Sequence, residues 1–439
     1  MKDGGKDVNN NFDTNNMMKK VFLFTVLLVW AGCAFAQFDK YFHDKTLRMD
    51  YFHCGDNARE EYYFNELLEE PYWGGSKVNL IDDNFYGNYY LNVYDVKSGK
   101  LIFSRGYNTL FGEWRTVPES RTTRRCCDET VVMPFPKENV RIELLSRDKK
   151  GVFQKMFEYT VDVNNYFIKR DRRLSAPVEE IQVAADPARA VDIVLLPEGY
   201  TAGEMEKFKA DCRKFAEGLF TFSPYKENKK KFNIRAVLAP SEQSGADVPA
   251  DHVWKNTVLN SSFYTFDTER YIMTFDNKSV RDLAANAPYD FIYIIANTGK
   301  YGGGAIYNHY GLSVAGSDLY AKIYTHEFGH LFLGLGDEYV GGAAYSDLYP
   351  TDVEPWEANL TTLVDFDRKW KDLIPKGTPV PTPVDKKHPD KIGVYEGGGY
   401  VSKGVYRPRP NCMMNSFNVD DFCPVCRRAI EKQIRFYSE

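Results

Sequence analysis

Apolar and polar positions divide the chain into two regimes. Over residues 88–94, 100–104, 140–145 and 152–161 they alternate with the period of two that half-buried strands require, and turn-forming residues separate the runs. Between residues 37 and 168 this pattern predicts a β-sandwich of ordinary domain size. After residue 190 the apolar runs become continuous: 191–196, 233–238 and 290–296 read as buried strands, and 202–220 reads as an amphipathic helix capped by Thr201. A further helix closes the chain over 424–436. The stretch 319–335 differs from all of these, because Leu319, Ile323, Phe328, Leu331, Phe332 and Leu335 cover more than one helical face. A helix apolar nearly all round belongs in a core. The expected fold class is therefore α+β: an N-terminal β-sandwich, a charged aperiodic linker over 169–190, and an α/β domain over 191–439 with a mixed sheet packed on a buried helix.

The polar edge of that helix is where chemistry concentrates. His326 and His330 are one turn apart, so both imidazoles face the same side and can share one tetrahedral zinc ion, while Glu327 stands about 100° round the helix, within reach of a water in the metal's open position. The bland alternative is a pair of satisfied core histidines bracketing a glutamate. Gly334 and Gly336 end the helix and turn the chain, delivering Asp337 as the expected third ligand, with Glu338 its neighbouring rival and Glu357 a more distant one. Glu357 lies in 352–360, which reads as a solvated helix start around Pro355. A methionine in a tight turn beneath the metal would give the histidines an apolar floor, and Met414, or failing it Met413, suits that role. Three glycines over 302–304 exclude a phosphate loop, since no Lys-Ser/Thr pair follows. Gly303 and Gly304 instead suggest an edge strand bared for an extended peptide substrate. The polar insertion 241–278 is long for a connector and is expected to wall the cleft.

Composition narrows the setting. A chain of 439 residues, 43% hydrophobic and 15% aromatic, suits two domains with real cores, and a net charge of −5 without a basic stripe argues against nucleic acid. The leader begins a charged segment at Met17-Met-Lys-Lys20, continues through an apolar run over 21–32 too short to span a bilayer, and reaches Ala34-Phe-Ala36 before Gln37. This predicts export (periplasm, cell surface or extracellular space), with lipid anchoring at Cys33 as the alternative, no other transmembrane segment, and a monomer. Export permits disulfides. Cys212 reads as a buried small hydrophobe and Cys54 as a turn residue. Cys412, Cys423 and Cys426 lack a nearby histidine to complete a zinc site, so a disulfide from Cys412 to Cys423 or Cys426 is expected. The aromatics Tyr62, Tyr63, Tyr72, Trp73, Tyr86, Tyr89 and Tyr90 read mostly as sandwich core, and the sandwich is assigned no chemistry.

Several segments in shared order resemble a known family. Ser244-Gly-x-Asp-x-Pro249, Arg270-Tyr271, Tyr301-Gly-Gly-Gly-x-Ile-Tyr-Asn308, His326-Glu-Phe-Gly-His330 with Asp337-Glu-Tyr339, and Tyr406-Arg-Pro408 before Cys412-Met-Met414 are similar to the IgA-peptidase family of bacterial zinc metallopeptidases, metallopeptidase family 64, over roughly 190–430. The resemblance implies a secreted zinc endopeptidase of metzincin-like architecture, and does not imply immunoglobulin as substrate. Gly334 and Asp337 fit the extended metzincin spacing only with one added residue. The expected mechanism uses one zinc held by His326, His330 and Asp337, Glu327 as general base, and Tyr339, Tyr400 or Tyr406 helping the oxyanion. Two other readings remain: an inactive peptidase-like surface binding protein, and a zinc hydrolase of cell-wall amides.

Overall fold

The computed structural model describes residues 37–171, 174–341, 348–385 and 387–439. The leader and Cys33 lie outside the described residues. Seven antiparallel strands form the N-terminal unit: β1 (Phe42–Gly55), β2 (Glu60–Glu70), β3 (Tyr89–Asp95), β4 (Leu101–Tyr107), β5 (Arg125–Pro136), β6 (Val140–Arg147) and β7 (Phe153–Val161). They make two sheets, ordered β2-β1-β5 and β4-β3-β6-β7. The four runs of clean alternation are the four strands of the second sheet. The first sheet is harder to read because both of its faces are covered. Along β1, Leu47, Met49 and Tyr51 enter the sandwich core, while the intervening Arg48 and Asp50 are equally buried against the following domain. Arg48 satisfies its guanidinium on Asp50 at 2.7 Å and on Asp282 at 2.6 Å, so a charge pattern that suggests solvent marks a domain junction.

Of the aromatics expected in the core, Tyr62, Trp73, Tyr89 and Tyr90 are buried, Tyr86 is half-buried, and Tyr63 and Tyr72 are exposed. Cys54 lies within β1, one residue before its end, rather than in a turn, and its register partner Cys126 on β5 is joined to it by a disulfide.

The second unit is built on a six-stranded sheet, from β8 (Val178–Gln182), β9 (Val191–Glu198), β10 (Phe232–Val237), β11 (Phe291–Ala296), β12 (Gly303–Ile306) and β13 (Tyr310–Val314), in the order β12-β13-β11-β9-β10-β8. The four inner strands run parallel and both edges antiparallel. The segment read as a linker thus supplies one edge strand, β8. The helix Met205–Leu219 follows a short turn in which Thr201 and Glu204 form a capping box, and Cys212 is buried on its inner face.

The long apolar helix is Tyr320–Leu333. Its aromatic face is clamped on several sides: Phe328 stacks on Phe332 at 5.2 Å between ring centres, with Phe215, Tyr225 and Phe291 edge-on around them. Leu319 departs from its expected core role, being 47% exposed just before the first turn. The terminal helix Pro424–Ser438 packs alongside, and Gln433 donates to the Phe332 carbonyl. No helix forms over 352–360. Asn359 instead holds Gly336 by both backbone groups, at 2.8 Å each, and this loop is buried by its hydrogen bonds rather than solvated. A hairpin of β14 (Tyr395–Gly398) and β15 (Val401–Arg407) completes the fold. Among the described residues, no helix is long and apolar enough to cross a membrane.

Candidate metal centre

Three side chains converge at the foot of a cleft between the two units. His326 Nε2 and His330 Nε2 are 3.1 Å apart, and Asp337 Oδ1 lies 3.2 Å from the first and 3.4 Å from the second. Each imidazole is fixed from behind. Nδ1 of His326 donates to the Met413 carbonyl at 3.0 Å, and Nδ1 of His330 donates to the Leu335 carbonyl at 2.5 Å. Those bonds place the proton on Nδ1 and leave both Nε2 lone pairs aimed at a common point.

Asp337 Oδ1 is buried without a hydrogen-bond donor. Three acceptors therefore face one another, an arrangement that calls for a cation. For ligand bonds of 2.0–2.1 Å a tetrahedral edge is about 3.3–3.4 Å, so the three measured separations fit such an ion closely. Without one, a proton takes its place: burial acts to lower the His330 pKa, but Asp337 and Glu327 outweigh it and raise it to about 9. Burial likewise opposes ionisation of Asp337, and the two imidazoles overcome this and hold its carboxyl well below the usual range. These three residues group as a candidate metal site.

The local backbone explains how Asp337 arrives. Gly334 ends the helix at φ 64°, its N–H bonding back to the His330 carbonyl and that of Leu335 to Gly329, which reverses the chain. A Cβ at Gly334 would stand 2.3 Å from the Trp356 ring. Tyr400 then donates to Asp337 Oδ2 at 2.5 Å, which turns Oδ1 toward the histidines. Glu338 points the opposite way, with Oε1 3.4 Å from Cys426 Sγ. Glu357 lines the cleft, accepts from Tyr349 at 3.0 Å, and is outside the converging group.

The two methionines divide the expected role. Met413 supplies the carbonyl under His326, and the Met414 sulfur packs against the helix at Gly329, 3.1 Å from where a Cβ would stand. Both are fully buried.

Glu327 is buried beside the histidines, and burial raises its pKa against the pull of His326 and His330. Gly303 makes room for it: a Cβ there would lie 3.2 Å from Glu327 Oε1. Gly304 is packed under the Tyr271 ring, where a Cβ would clash at 2.1 Å. Strand β12 is the sheet edge, as the glycines suggest, but it is not bare at its start, since Gly303 N–H donates to the Arg270 carbonyl at 3.1 Å. The glycines admit the protein's own Glu327 and Tyr271 as much as any substrate. Tyr339 lines the cleft and accepts from Arg270 at 3.2 Å. Tyr406 does not line it, and pairs by its backbone with Thr361 instead.

The sandwich, assigned no chemistry above, forms part of the wall. Asn88, Asn108, Thr109, Glu113 and Thr116 line the cleft. Glu113, on the short helix Leu110–Trp114 capped by Thr109, accepts from Tyr271 at 2.5 Å. Burial pushes its carboxyl up to about 7, against the Tyr271 hydrogen bond. No local pattern marked it, because its partner is 158 positions away. Of the insertion, Thr268, Arg270 and Tyr271 reach the cleft, as expected of a wall.

Fold and site together define a two-unit α+β protein whose catalytic-type cleft holds a three-residue candidate metal group. The chain matches the family model for IgA peptidase M64 over residues 179–389 and 384–434, and that for the peptidase M64 N-terminus over residues 37–158. It belongs to this peptidase family. No match is found among curated proteins.

Proposed function

We propose that this chain is an exported zinc endopeptidase of metzincin-like architecture that hydrolyses polypeptides with Glu327 as general base. The observation that carries the reading is the convergence of two Nε2 lone pairs and an orphaned Asp337 oxygen beside a buried carboxylate, at the foot of an open cleft. His326, His330 and Asp337 would hold the zinc ion, which would supply Lewis acidity and lower the pKa of a water molecule to about 7.

Glu327, its proton affinity raised by burial, takes the proton of the attacking water and returns it to the leaving amide nitrogen. Tyr339 and Tyr400 both line the cleft; the Tyr400 hydroxyl is engaged with Asp337, which favours Tyr339, with Arg270 at its hydroxyl, as donor to an oxyanion. The substrate would lie as an extended strand alongside Ala305, between Arg270, which covers the edge at Gly303, and Asn108, which donates to the Tyr307 carbonyl at 2.9 Å. The leader sequence and the Cys54–Cys126 disulfide favour an oxidising compartment outside the cytoplasm.

The test is hydrolysis of an unfolded protein such as casein by the full chain, before chelation, after chelation, and after zinc is restored. Loss and recovery of cleavage are expected. Cleavage that survives complete metal removal would end the proposal.

A further inference from the structure

Behind the first group of residues lies a second one. Glu338, Cys412, Cys423 and Cys426 bring one oxygen and three sulfurs within 4.8 Å of one another, and all four side chains are fully buried. We propose that these residues form a second, structural zinc site that locks the Asp337–Glu338 turn, the Cys412–Met414 turn and the start of the terminal helix to one another.

Three of the six separations, all those that involve Cys426, match a tetrahedron. With Zn–S bonds of about 2.3 Å, sulfurs on a tetrahedral ion stand about 3.8 Å apart, and a sulfur and a carboxylate oxygen about 3.5 Å. Cys412 Sγ is 3.8 Å from Cys426 Sγ, Cys423 Sγ is 3.5 Å from Cys426 Sγ, and Cys426 Sγ is 3.4 Å from Glu338 Oε1. The three cysteines are free, far beyond the roughly 2.05 Å of a disulfide, although the same structure does join Cys54 to Cys126. The disulfide expected from Cys412 to Cys423 or Cys426 is therefore not what the fold presents. That expectation rested on the lack of a fourth ligand nearby in sequence, and Glu338 arrives from 74 or more positions upstream.

The surroundings suit metal-bound thiolates. Backbone N–H groups point at the sulfurs, from Cys423 to Cys412 Sγ at 3.2 Å and from Cys426 to Cys423 Sγ at 3.5 Å. Glu338 has one hydrogen-bonding amide, Asn359 at 3.0 Å on Oε1, while Oε2 is buried with no partner. Among the described residues no cationic side chain makes an ion pair with Glu338; Arg407 favours its charged form only from beyond ion-pair distance. A buried carboxylate with so little compensation, set against three thiols, is poorly accounted for unless a cation is shared among them. Thiolate sulfur selects a thiophilic ion such as zinc over calcium or magnesium, and the thiol protons leave to solvent as it binds.

The consequence for the cleft is mechanical. Glu338 follows Asp337 directly and its N–H donates to the Met414 carbonyl at 2.8 Å, while Cys412 precedes the Met413 carbonyl that fixes His326. One ion would therefore tension both turns that aim the first group.

The experiment counts zinc per full-length chain by mass spectrometry. The unaltered protein should hold two, and the variant His326→Ala/His330→Ala should keep one. Cobalt loaded into that double variant should give thiolate-to-cobalt charge-transfer absorption, absent when Cys423→Ser and Cys426→Ser are added. A double histidine variant that holds no metal overturns the proposal, as does non-reducing peptide mapping that finds Cys412 bonded to Cys423 or Cys426. The cysteine variants could fail to fold, and then the histidine variant decides by itself. Because it lacks the first group, its result stands apart from the question of peptidase activity.

Discussion

Asp337 and Glu338 are chain neighbours that face opposite ways. Asp337 puts Oδ1 3.2 Å from His326 Nε2, and Glu338 puts Oε1 3.4 Å from Cys426 Sγ. The turn after Gly334 is extended enough for successive side chains to alternate, so one short segment serves two clusters. The choice between them as partner of the histidines is thus a matter of backbone parity, which sequence spacing alone left open.

Glu327→Gln keeps the shape of the side chain and removes its basicity. Metal content should be unchanged, and turnover of a peptide substrate should fall roughly 10²–10⁴-fold. Steady-state kinetics together with metal analysis of the same sample checks this. Retained turnover would remove Glu327 from the reaction.

Tyr400→Phe deletes the hydroxyl that orients Asp337 and leaves the ring in place. Loss of such a supporting bond commonly weakens metal affinity or activity roughly 10–100-fold. Zinc affinity, measured by competition with a chelator, should drop while substrate KM in zinc-saturated protein stays nearly constant. If zinc affinity does not change, Tyr400 is not a positioning residue.

What could be read in advance followed from local periodicity. The helix of His326 and His330, its end at Gly334, the return of a carboxylate from Asp337 or Glu338, and the strands β3, β4, β6, β7, β9, β10 and β11 all carry their signal within a few residues. What could not be read depends on contacts between distant segments. Arg48 looks solvated until Asp282 covers it, Glu113 has no role until Tyr271 meets it, and three cysteines look like a disulfide until Glu338 joins them. Residues 352–360 failed for the same reason: Asn359 finds Gly336, and that pairing overrides a helix start.

Gly334→Ala tests the turn itself. A left-handed residue with a Cβ is strained by about 1–2 kcal/mol, and here the added carbon also meets Trp356. Stability should fall by at least about 2 kcal/mol in denaturant titration. The turn aims Asp337, so zinc affinity should fall with it. A variant as stable as the parent would show that the turn relaxes without strain.

Glu113→Gln tests whether the sandwich is electrically part of the cleft. The folded-state pKa of Glu113 is about 7, above its ordinary 4.5, because burial disfavours the charge. The folded protein keeps a proton that the unfolded chain releases. Its stabilising contribution is therefore complete below about pH 4.5 and is lost as pH rises through 7. A shift of this size corresponds to roughly 3 kcal/mol. Glutamine still accepts from Tyr271 but does not titrate. In chelator-treated protein, the drop in unfolding free energy between pH 4.5 and 7.5 should be smaller in the variant by up to that amount. Parallel pH profiles for variant and parent would mean that Glu113 is already ionised in the folded state, and the cleft wall would then carry one more negative charge at neutral pH than the burial of Glu113 implies.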